Sequence, residues 1–170
     1  TAYEISTRDW SSDVCSSDLD VAKRLIDIVF ALIGGAFSLI AYPFVIAAIK
    51  IEDGGPIFVR MPRVGRYQRE IHILKFRSMT GNDAGDYGSS GKSKLEVTKV
   101  GKWLRIFRID ELPQLWNVLR GDLSLVGPRP ETPALAAQYN ARIPYYSSRS
   151  LIKPGLTGWA QIKHDQHPHH

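Results

Sequence analysis

The sequence predicts a mostly helical α+β fold, made of an N-terminal re-entrant membrane helix hairpin, a small β-hairpin and a helical core. Three observations predict it. Residues 28–49 form an uncharged apolar run that contains a proline. Two apolar segments, 57–59 and 71–77, flank a turn-rich stretch, and the apolar residues of 103–119 recur at helical spacing. With 170 residues and 44% hydrophobic content, the chain is long enough for one domain with its own core.

Residues 1–20 differ from the rest of the chain because they are polar, serine-rich and aperiodic. The stretch from Trp10 to Leu19 resembles a translated sequencing-adapter read-through, and a short disordered leader is the alternative. We assign this atypical leader no function. The predicted organisation is then a leader at 1–20, a re-entrant membrane helix at 21–51, a folded domain at 52–162 and a truncated tail at 163–170.

The apolar run of 28–49 is long enough to cross a hydrocarbon core of about 30 Å as a helix. Its flanks are basic on both sides, with Lys23-Arg24 before it and Lys50 after it. Positive charge at both ends predicts that both ends face the cytoplasm. Tyr42-Pro43 supplies a break at which the helix bends back, so we predict a re-entrant helix. A plain spanning helix with a proline kink and a buried core helix are the alternatives.

Composition limits the possible classes of binding partner but does not select one of them. The net charge of +5 and the sequence pI near 9.4 predict anionic partners such as phosphates, nucleic acid or acidic lipid headgroups. Cys15 is the only cysteine of the sequence, so an intramolecular disulfide is excluded and a reducing compartment is acceptable. Residues 80–94, rich in Gly, Ser and Asp, predict a mobile surface loop.

Four basic residues are candidates for binding a phosphate. Lys75 and Arg77 alternate with apolar residues, so we expect them on one face of the second hairpin strand. Arg105 lies five residues before Asp110, the first of two adjacent carboxylates. We expect its guanidinium to point towards an anion held at that pair. Arg129 lies in the stiff Gly127–Glu131 turn, where two prolines fix the backbone around its guanidinium.

Asp110 and Glu111 are adjacent carboxylates directly before Leu112-Pro113. Proline disfavours helical geometry in the residue before it and is accepted in the first turn, so a helix is predicted to begin there and run through Leu119. Carboxylates at the positive end of a helix stay ionised at neutral pH, as a nucleophile must. An ordinary helix cap is the alternative interpretation of the pair.

Six segments form a specific combination, although none is specific alone. They are KRxxD at Lys23–Asp27, the apolar hairpin with Pro43, GxPxF at Gly54–Phe58, KFRSM at Lys75–Met79, DELPQLWNVLRGDLSLVGPRPE at Asp110–Glu131 and KPGLTGWAQI at Lys153–Ile162. Together they resemble the bacterial sugar transferases of the monotopic phosphoglycosyl transferase superfamily. That family usually continues beyond the last segment, so we expect this chain to be a fragment.

The resemblance implies an enzyme of the bacterial inner membrane whose catalytic domain, 52–162, faces the cytoplasm. It would move a sugar 1-phosphate from a UDP-sugar to undecaprenyl phosphate, releasing UMP, and so initiate exopolysaccharide, capsule or glycan assembly. By resemblance, Asp110 is the nucleophile that forms an aspartyl phosphosugar intermediate, and Glu111 is its partner, binding Mg²⁺ with it or handling a proton. The substrate-binding residues that we predict are Lys75, Arg77, Arg105, Arg129 and Glu131.

The partners implied by the resemblance are a UDP-sugar, undecaprenyl phosphate and membrane lipid, with Mg²⁺ as cofactor and no nucleic acid. A homodimer is an open alternative, and the sequence does not name the sugar. Two other classes of function stay open. A membrane-tethered basic module that binds nucleic acid or acidic lipid would explain the charge and the apolar run but would leave the acidic pair without a role. An inactive scaffold that recruits assembly partners is the other.

Overall fold

The computed structural model describes residues 9–80 and 96–158, with side chains from residue 19 onward in the first helix. The helices and strands in chain order are α1 (Asp9–Glu52), β1 (Phe58–Val64), β2 (Glu70–Phe76), β3 (Met79–Thr80), β4 (Glu96–Val97), α2 (Lys99–Ile106), α3 (Gln114–Arg120), β5 (Ser124–Val126), α4 (Pro133–Arg142) and β6 (Gly155–Thr157). Short 3₁₀ helices lie at Arg66–Gln68, Ile109–Glu111 and Tyr146–Leu151. The predicted mixed and mostly helical fold is confirmed. Apart from Thr80, the predicted loop of 80–94 and the tail of 163–170 lie outside the described residues.

The first helix, α1, is a single helix from Asp9 to Glu52. It contains Tyr42 and Pro43, so the structure does not show the predicted re-entrant break, and it extends into the segment assigned to the leader. Pro43 removes one backbone hydrogen bond, but α1 packs against the domain on both sides of that residue, which supports the helix there. Buried side chains recur along one face at helical spacing: Asp27, Ala31, Ser38, Val45 and Ile49.

The opposite face of α1 is apolar and exposed. By length and composition alone, Leu19–Glu52 is able to cross a membrane, a criterion that core helices and signal sequences also meet. Only 17% of the apolar stretch is buried, which is unlike a core helix. The exposed side chains include Leu25, Ile26, Val29, Phe30, Leu32, Ile33, Phe37, Leu39, Ile40, Phe44 and Ile51.

Before its apolar run, α1 is bound to the end of α3 and to β5. Arg24 donates two hydrogen bonds, of 2.5 and 2.6 Å, to carbonyls in the last turn of α3. Lys23 donates to the last carbonyl of β5 at 3.0 Å, and Asp27 accepts from the central amide of β5 at 3.0 Å. The three named residues of the KRxxD segment therefore all bind backbone, and they join α1 to α3 and β5.

The end of α1 is bound to α2. Glu52 accepts the backbone N–H groups of Lys99 and Val100, at 2.6 and 3.0 Å. Thr98 caps the start of α2, since its hydroxyl accepts the N–H of Gly101 at 2.9 Å. The free amides of the first turn of α2 are thus satisfied partly by α1. Both flanks of the apolar run in α1 are thus attached to the same folded domain.

The predicted β-hairpin is confirmed as β1 and β2, which pair antiparallel with Met61 opposite Ile73. The first strand is longer than expected and includes Pro62. A proline is tolerated there because this two-stranded sheet has a free edge. The turn contains Tyr67 and Gln68 with φ of 55° and 59°, a left-handed geometry that reverses the chain in few residues.

Two adjoining clusters of buried side chains form the core. Ala31 of α1 packs with Ile73, Val118 and Leu123 in the first. Val45 and Ile49 of α1 pack with Phe76 and Leu104 in the second. Because α1 and β2 contribute to both clusters, they determine how α2 and α3 lie relative to each other.

Asn117 of α3 takes the place of a third strand beside β2. Its Oδ1 accepts the N–H of Leu74 at 3.0 Å, and its Nδ2 donates to the carbonyl of His72 at 2.8 Å. These are the backbone groups that β1 does not pair, and the Asn117 side chain is 3% exposed. The amide therefore holds α3 against the free edge of β2.

We expect Asn117→Ala to lower the free energy of unfolding by about 2 kcal/mol, because it leaves two partly buried backbone groups without partners. Denaturant titration of the purified chain measures this. The control is Arg120→Ala on the exposed side of the same helix, where the change should stay within about 0.5 kcal/mol. Equal losses for the two variants would contradict the role given to Asn117.

Candidate active site

The acidic pair lies in the 3₁₀ helix Ile109–Glu111, between α2 and α3. Arg108 precedes it in a left-handed conformation, with φ of 53°, which turns the chain out of α2. Pro113 stands directly before Gln114, the first residue of α3, and α3 runs through Arg120. The helix predicted to begin at the proline is therefore confirmed, and the acids sit one short turn before it.

Asp110 is only 7% exposed. Burial raises the pKa of its carboxyl above the ordinary range, because an ionised group loses hydration there. Lys75 and Arg105 act in the opposite direction and Glu111 adds to the rise, but burial is the largest effect on this pKa. The ionised carboxylate predicted from the helix position is thus disfavoured relative to a carboxylate in water.

Glu111 is paired with Lys75. The distance from Lys75 Nζ to Glu111 Oε1 is 2.7 Å, and the two side chains are 17% and 18% exposed. Lys75 comes from β2 and Glu111 from the turn before α3, so this ion pair joins the sheet to the acidic pair. Arg105, at the end of α2, is exposed and close enough to affect the pKa of Asp110. The structure brings these predicted residues together.

A cavity of about 270 Å³ opens beside the pair, with Lys75, Glu111 and Arg129 in its wall. Sequence reasoning missed two further residues of this wall, Arg63 and Gln114. Arg63 lies on the same face of the hairpin as Lys75. The pairing of residues across the two strands is the signal that would have placed Arg63 on that face. Burial and the nearby charge of Arg129 lower the pKa of Arg63. Cations that converge in this way suit a phosphate, which would offset their mutual repulsion.

Arg129 is positioned by two stiff turns that lie against each other. The strands β5 and β6 pair in parallel, and the N–H of Gly155 donates to the carbonyl of Pro128 at 2.9 Å. A Cβ on Gly155 would lie 2.0 Å from the backbone nitrogen of Gly127, so the close approach requires glycine. Part of the Lys153–Ile162 segment thus forms the strand β6, which supports the arginine turn.

Two predicted substrate-binding residues have other partners. Arg77 forms an ion pair with Asp53 beyond the end of α1, in space that a side chain on Gly55 would fill. Its guanidinium is therefore engaged away from the acidic pair. Glu131 lies 3.8 Å from Arg149 Nη1, on the other side of the Arg129 turn. Arg149 is a further residue that sequence reasoning did not select.

The acidic pair fits a magnesium ion chemically. Mg²⁺ usually keeps several waters and takes one or two carboxylates together with substrate phosphates. Asp110 and Glu111 would supply those carboxylates, and the cations in the wall of the adjoining cavity would bind the phosphates. Within residues 9–80 and 96–158, no group of three or more His, Cys, Asp or Glu side chains could hold a metal by itself. Such an ion would therefore depend on the substrate for its remaining ligands.

Comparison with known proteins identifies the family of this chain. The model of the family described as "Bacterial sugar transferase" matches residues 19–169, so the chain belongs to that family of transferases. It is 43% identical over 148 residues to a UDP-N-acetylgalactosamine-undecaprenyl-phosphate N-acetylgalactosaminephosphotransferase of Aeromonas hydrophila, covering 84% of this chain and 34% of the relative. It is 44% identical over 146 residues to a UDP-glucose:undecaprenyl-phosphate glucose-1-phosphate transferase of Caulobacter vibrioides, covering 85% and 55%.

The same name is carried by a relative from Escherichia coli, 41% identical over 146 residues and covering 82% of this chain and 30% of the relative. The chain thus spans from about a third to about half of the length of these relatives. The two relatives of nearly equal identity act, by name, on different sugars. Overall similarity therefore does not select a sugar for this chain.

We expect Asp110→Asn to raise the free energy of unfolding at neutral pH, because burial penalises the ionised carboxylate in the folded chain. This gain in free energy of unfolding should shrink as the pH falls through the pKa of Asp110 in the folded chain. It should vanish below the ordinary aspartate pKa of about 3.9, where the carboxyl is neutral in the folded and the unfolded chain. Denaturant titrations over a pH series measure it. Glu111→Gln is the matched control with the opposite sign, since it leaves Lys75 without its partner. An Asp110→Asn variant less stable than the parent chain at neutral pH would contradict this.

Proposed function

We propose that this chain carries the catalytic domain of an enzyme that transfers a sugar 1-phosphate from a UDP-sugar to undecaprenyl phosphate and releases UMP. The observation that carries the proposal is the cavity whose wall contains Lys75, Arg63, Arg129 and Glu111. Asp110, the buried residue before Glu111 in the chain, is held next to this wall by the same 3₁₀ helix. The names of the relatives supply the donor and acceptor classes. Initiation of exopolysaccharide, capsule or glycan assembly is the biological role that we assign to this reaction.

In the first step, a carboxylate oxygen of Asp110 attacks the phosphorus that bears the sugar. A bond forms from this oxygen to phosphorus, and the bond from phosphorus to the bridging oxygen of the diphosphate breaks. UMP leaves with that oxygen and its electron pair, and an aspartyl phosphosugar remains. Burial supports this role for Asp110, because a poorly hydrated carboxylate has less solvation to lose on attack.

In the second step, an oxygen of the lipid phosphate attacks the same phosphorus. The bond to Asp110 breaks and the carboxylate is restored, so the sugar-bearing lipid diphosphate is the product. Lys75 and Arg129 would offset the negative charge that builds up on the phosphate oxygens in both steps. Glu111 keeps Lys75 in place through their ion pair. Magnesium at the acidic pair would supply further charge neutralisation when bound.

We also propose that α1 rests on the cytoplasmic face of the inner membrane without crossing it. One face of α1 packs on the domain while the other exposes large apolar side chains. A helix that crossed about 30 Å of hydrocarbon would separate the two flanks of its apolar run, yet both flanks of the apolar run in α1 hydrogen-bond the same domain. Trp103 and Phe107 of the α2 end and Trp116 of α3, each more than 60% exposed, extend the apolar surface.

This placement explains how a soluble domain would reach a lipid substrate. The phosphate of a polyprenol lies at the headgroup plane, and an enzyme held at that depth reaches it without extracting the lipid. The basic residues on both sides of the apolar run, among them Lys23 and Lys50, suit the anionic headgroups of the cytoplasmic leaflet.

The covalent intermediate is tested by intact-mass spectrometry of the purified chain mixed with UDP-sugars and Mg²⁺ in the absence of lipid acceptor. We expect an added mass of one sugar phosphate, because the second step cannot proceed without an acceptor. Asp110→Asn should lose the adduct completely. Glu70→Gln is the matched control, since it removes an exposed carboxylate from β2 and should keep the adduct. An adduct that persists in Asp110→Asn would refute the assignment of the nucleophile.

The membrane placement is tested by cysteine labelling in a Cys15→Ser background, with single cysteines introduced as Ala22→Cys and Lys50→Cys. Both positions are exposed and lie near opposite ends of the apolar stretch. A membrane-impermeant maleimide should label both in inside-out vesicles and neither in right-side-out vesicles. Leu39→Cys, on the exposed apolar face, should resist the reagent in both preparations. Labelling of the two end positions from opposite sides would show that the helix crosses.

A further inference from the structure

A second cavity, of about 370 Å³, lies on the far side of the Arg129 turn from the acidic pair. The walls come from the end of β1, the arginine turn, α4 and the 3₁₀ helix at 146–151. Arg129 lines both this cavity and the one beside Glu111, so the two cavities adjoin at its side chain.

The walls of the second cavity suit an uncharged planar ring. Val64, Pro128, Ala136, Ile152 and Pro154 supply apolar surface. Gln68 and Asn140 supply amide groups, each of which both donates and accepts hydrogen bonds. That combination matches a pyrimidine base, whose faces are apolar and whose edge carries carbonyl acceptors and an N–H donor.

The charged groups of the cavity are already partnered, which argues against a second phosphate site. The Arg149 guanidinium donates to the backbone carbonyl of Arg129 at 2.9 Å and to the Tyr146 hydroxyl, and Glu131 lies 3.8 Å from it. Arg149 therefore fixes the arginine turn to the wall of the cavity. Arg129 is the remaining cation of the wall and also reaches the phosphate cavity.

We infer that this cavity binds the nucleoside of the donor, with the uracil ring between its apolar walls and the amides of Gln68 and Asn140. The inference rests on the proposed function. Attack by Asp110 expels the phosphate that carries the nucleoside, and Arg129 stands where negative charge builds up on that leaving phosphate. The group attached to the leaving phosphate then extends beyond Arg129, into the second cavity.

Two other occupants fit the cavity less well. The lipid acceptor would approach from the apolar surface of α1 and α2, and neither helix contributes a residue to this cavity's wall. The sugar is bonded to the phosphorus under attack, on the acidic-pair side of Arg129. The relatives also differ in their sugars but share the UDP moiety, so a nucleoside subsite would serve all of them.

The test measures the affinities of UMP, glucose 1-phosphate and inorganic pyrophosphate by calorimetry on the purified chain. Ala136 is buried in the cavity wall, whereas its neighbour Ala137 is exposed on the same helix. Ala136→Leu should weaken UMP binding by at least about tenfold, because the larger side chain occupies the space of the ring. The pyrophosphate affinity of Ala136→Leu should stay within about twofold of the parent value. The control Ala137→Leu should keep all three affinities within about twofold of their parent values.

Each outcome bears on the inference. Unchanged UMP affinity in Ala136→Leu would overturn it, and so would a loss restricted to glucose 1-phosphate, which would make the cavity a sugar subsite. If thermal unfolding shows that Ala136→Leu does not fold, Asn140→Leu replaces it with the same expectations, since Asn140 is exposed on the cavity rim. A chain that forms the Asp110 adduct but retains UMP affinity in these variants refutes the nucleoside subsite alone. A chain that loses UMP affinity as expected but forms no adduct refutes the proposed reaction alone.

Discussion

The site depends on the ion pair between Lys75 and Glu111. It is short and mostly buried, and it ties the second strand of the hairpin to the turn that carries Asp110. Without this ion pair, the buried Asp110 carboxyl would stand beside Glu111 with less positive charge nearby to oppose the rise of the Asp110 pKa. The pair therefore holds a cation where a phosphate would bind, and it limits the penalty of burying Asp110.

Burial of Asp110 illustrates a conflict between stability and reactivity. The folded chain disfavours the ionised carboxylate, since burial is the largest effect on its pKa. A nucleophile that has already lost much of its hydration needs less reorganisation to attack, so the same burial favours the proposed chemistry. The surrounding structure offsets this penalty with buried apolar packing and with the Asn117 bonds to β2.

Local sequence signals predicted the parts of the fold that depend on neighbouring residues. The helix start at Pro113 and the β-hairpin of β1 and β2 follow from backbone preferences, and both are confirmed. Arg63, Gln114 and Arg149 were missed because their roles depend on contacts between segments far apart in the chain. The unbroken α1 was missed for the same reason, since the proline signal is local and the contacts that support the helix are not. Among the predicted cations, Arg77 shows how strand alternation fails at a strand end, because β2 stops at Phe76.

The long helix also determines where the acidic pair lies relative to a membrane. Arg24 binds the end of α3 and Glu52 binds the start of α2, while Asp110 and Glu111 lie in the turn between those two helices. The apolar face of α1 and the acidic pair are thus parts of one hydrogen-bonded frame. If that face rests at the headgroup plane, the depth of the acidic pair is fixed by α1 and not by the substrate. A lipid phosphate at that plane and a nucleotide from the cytoplasm could then meet at one phosphorus, each arriving from its own side.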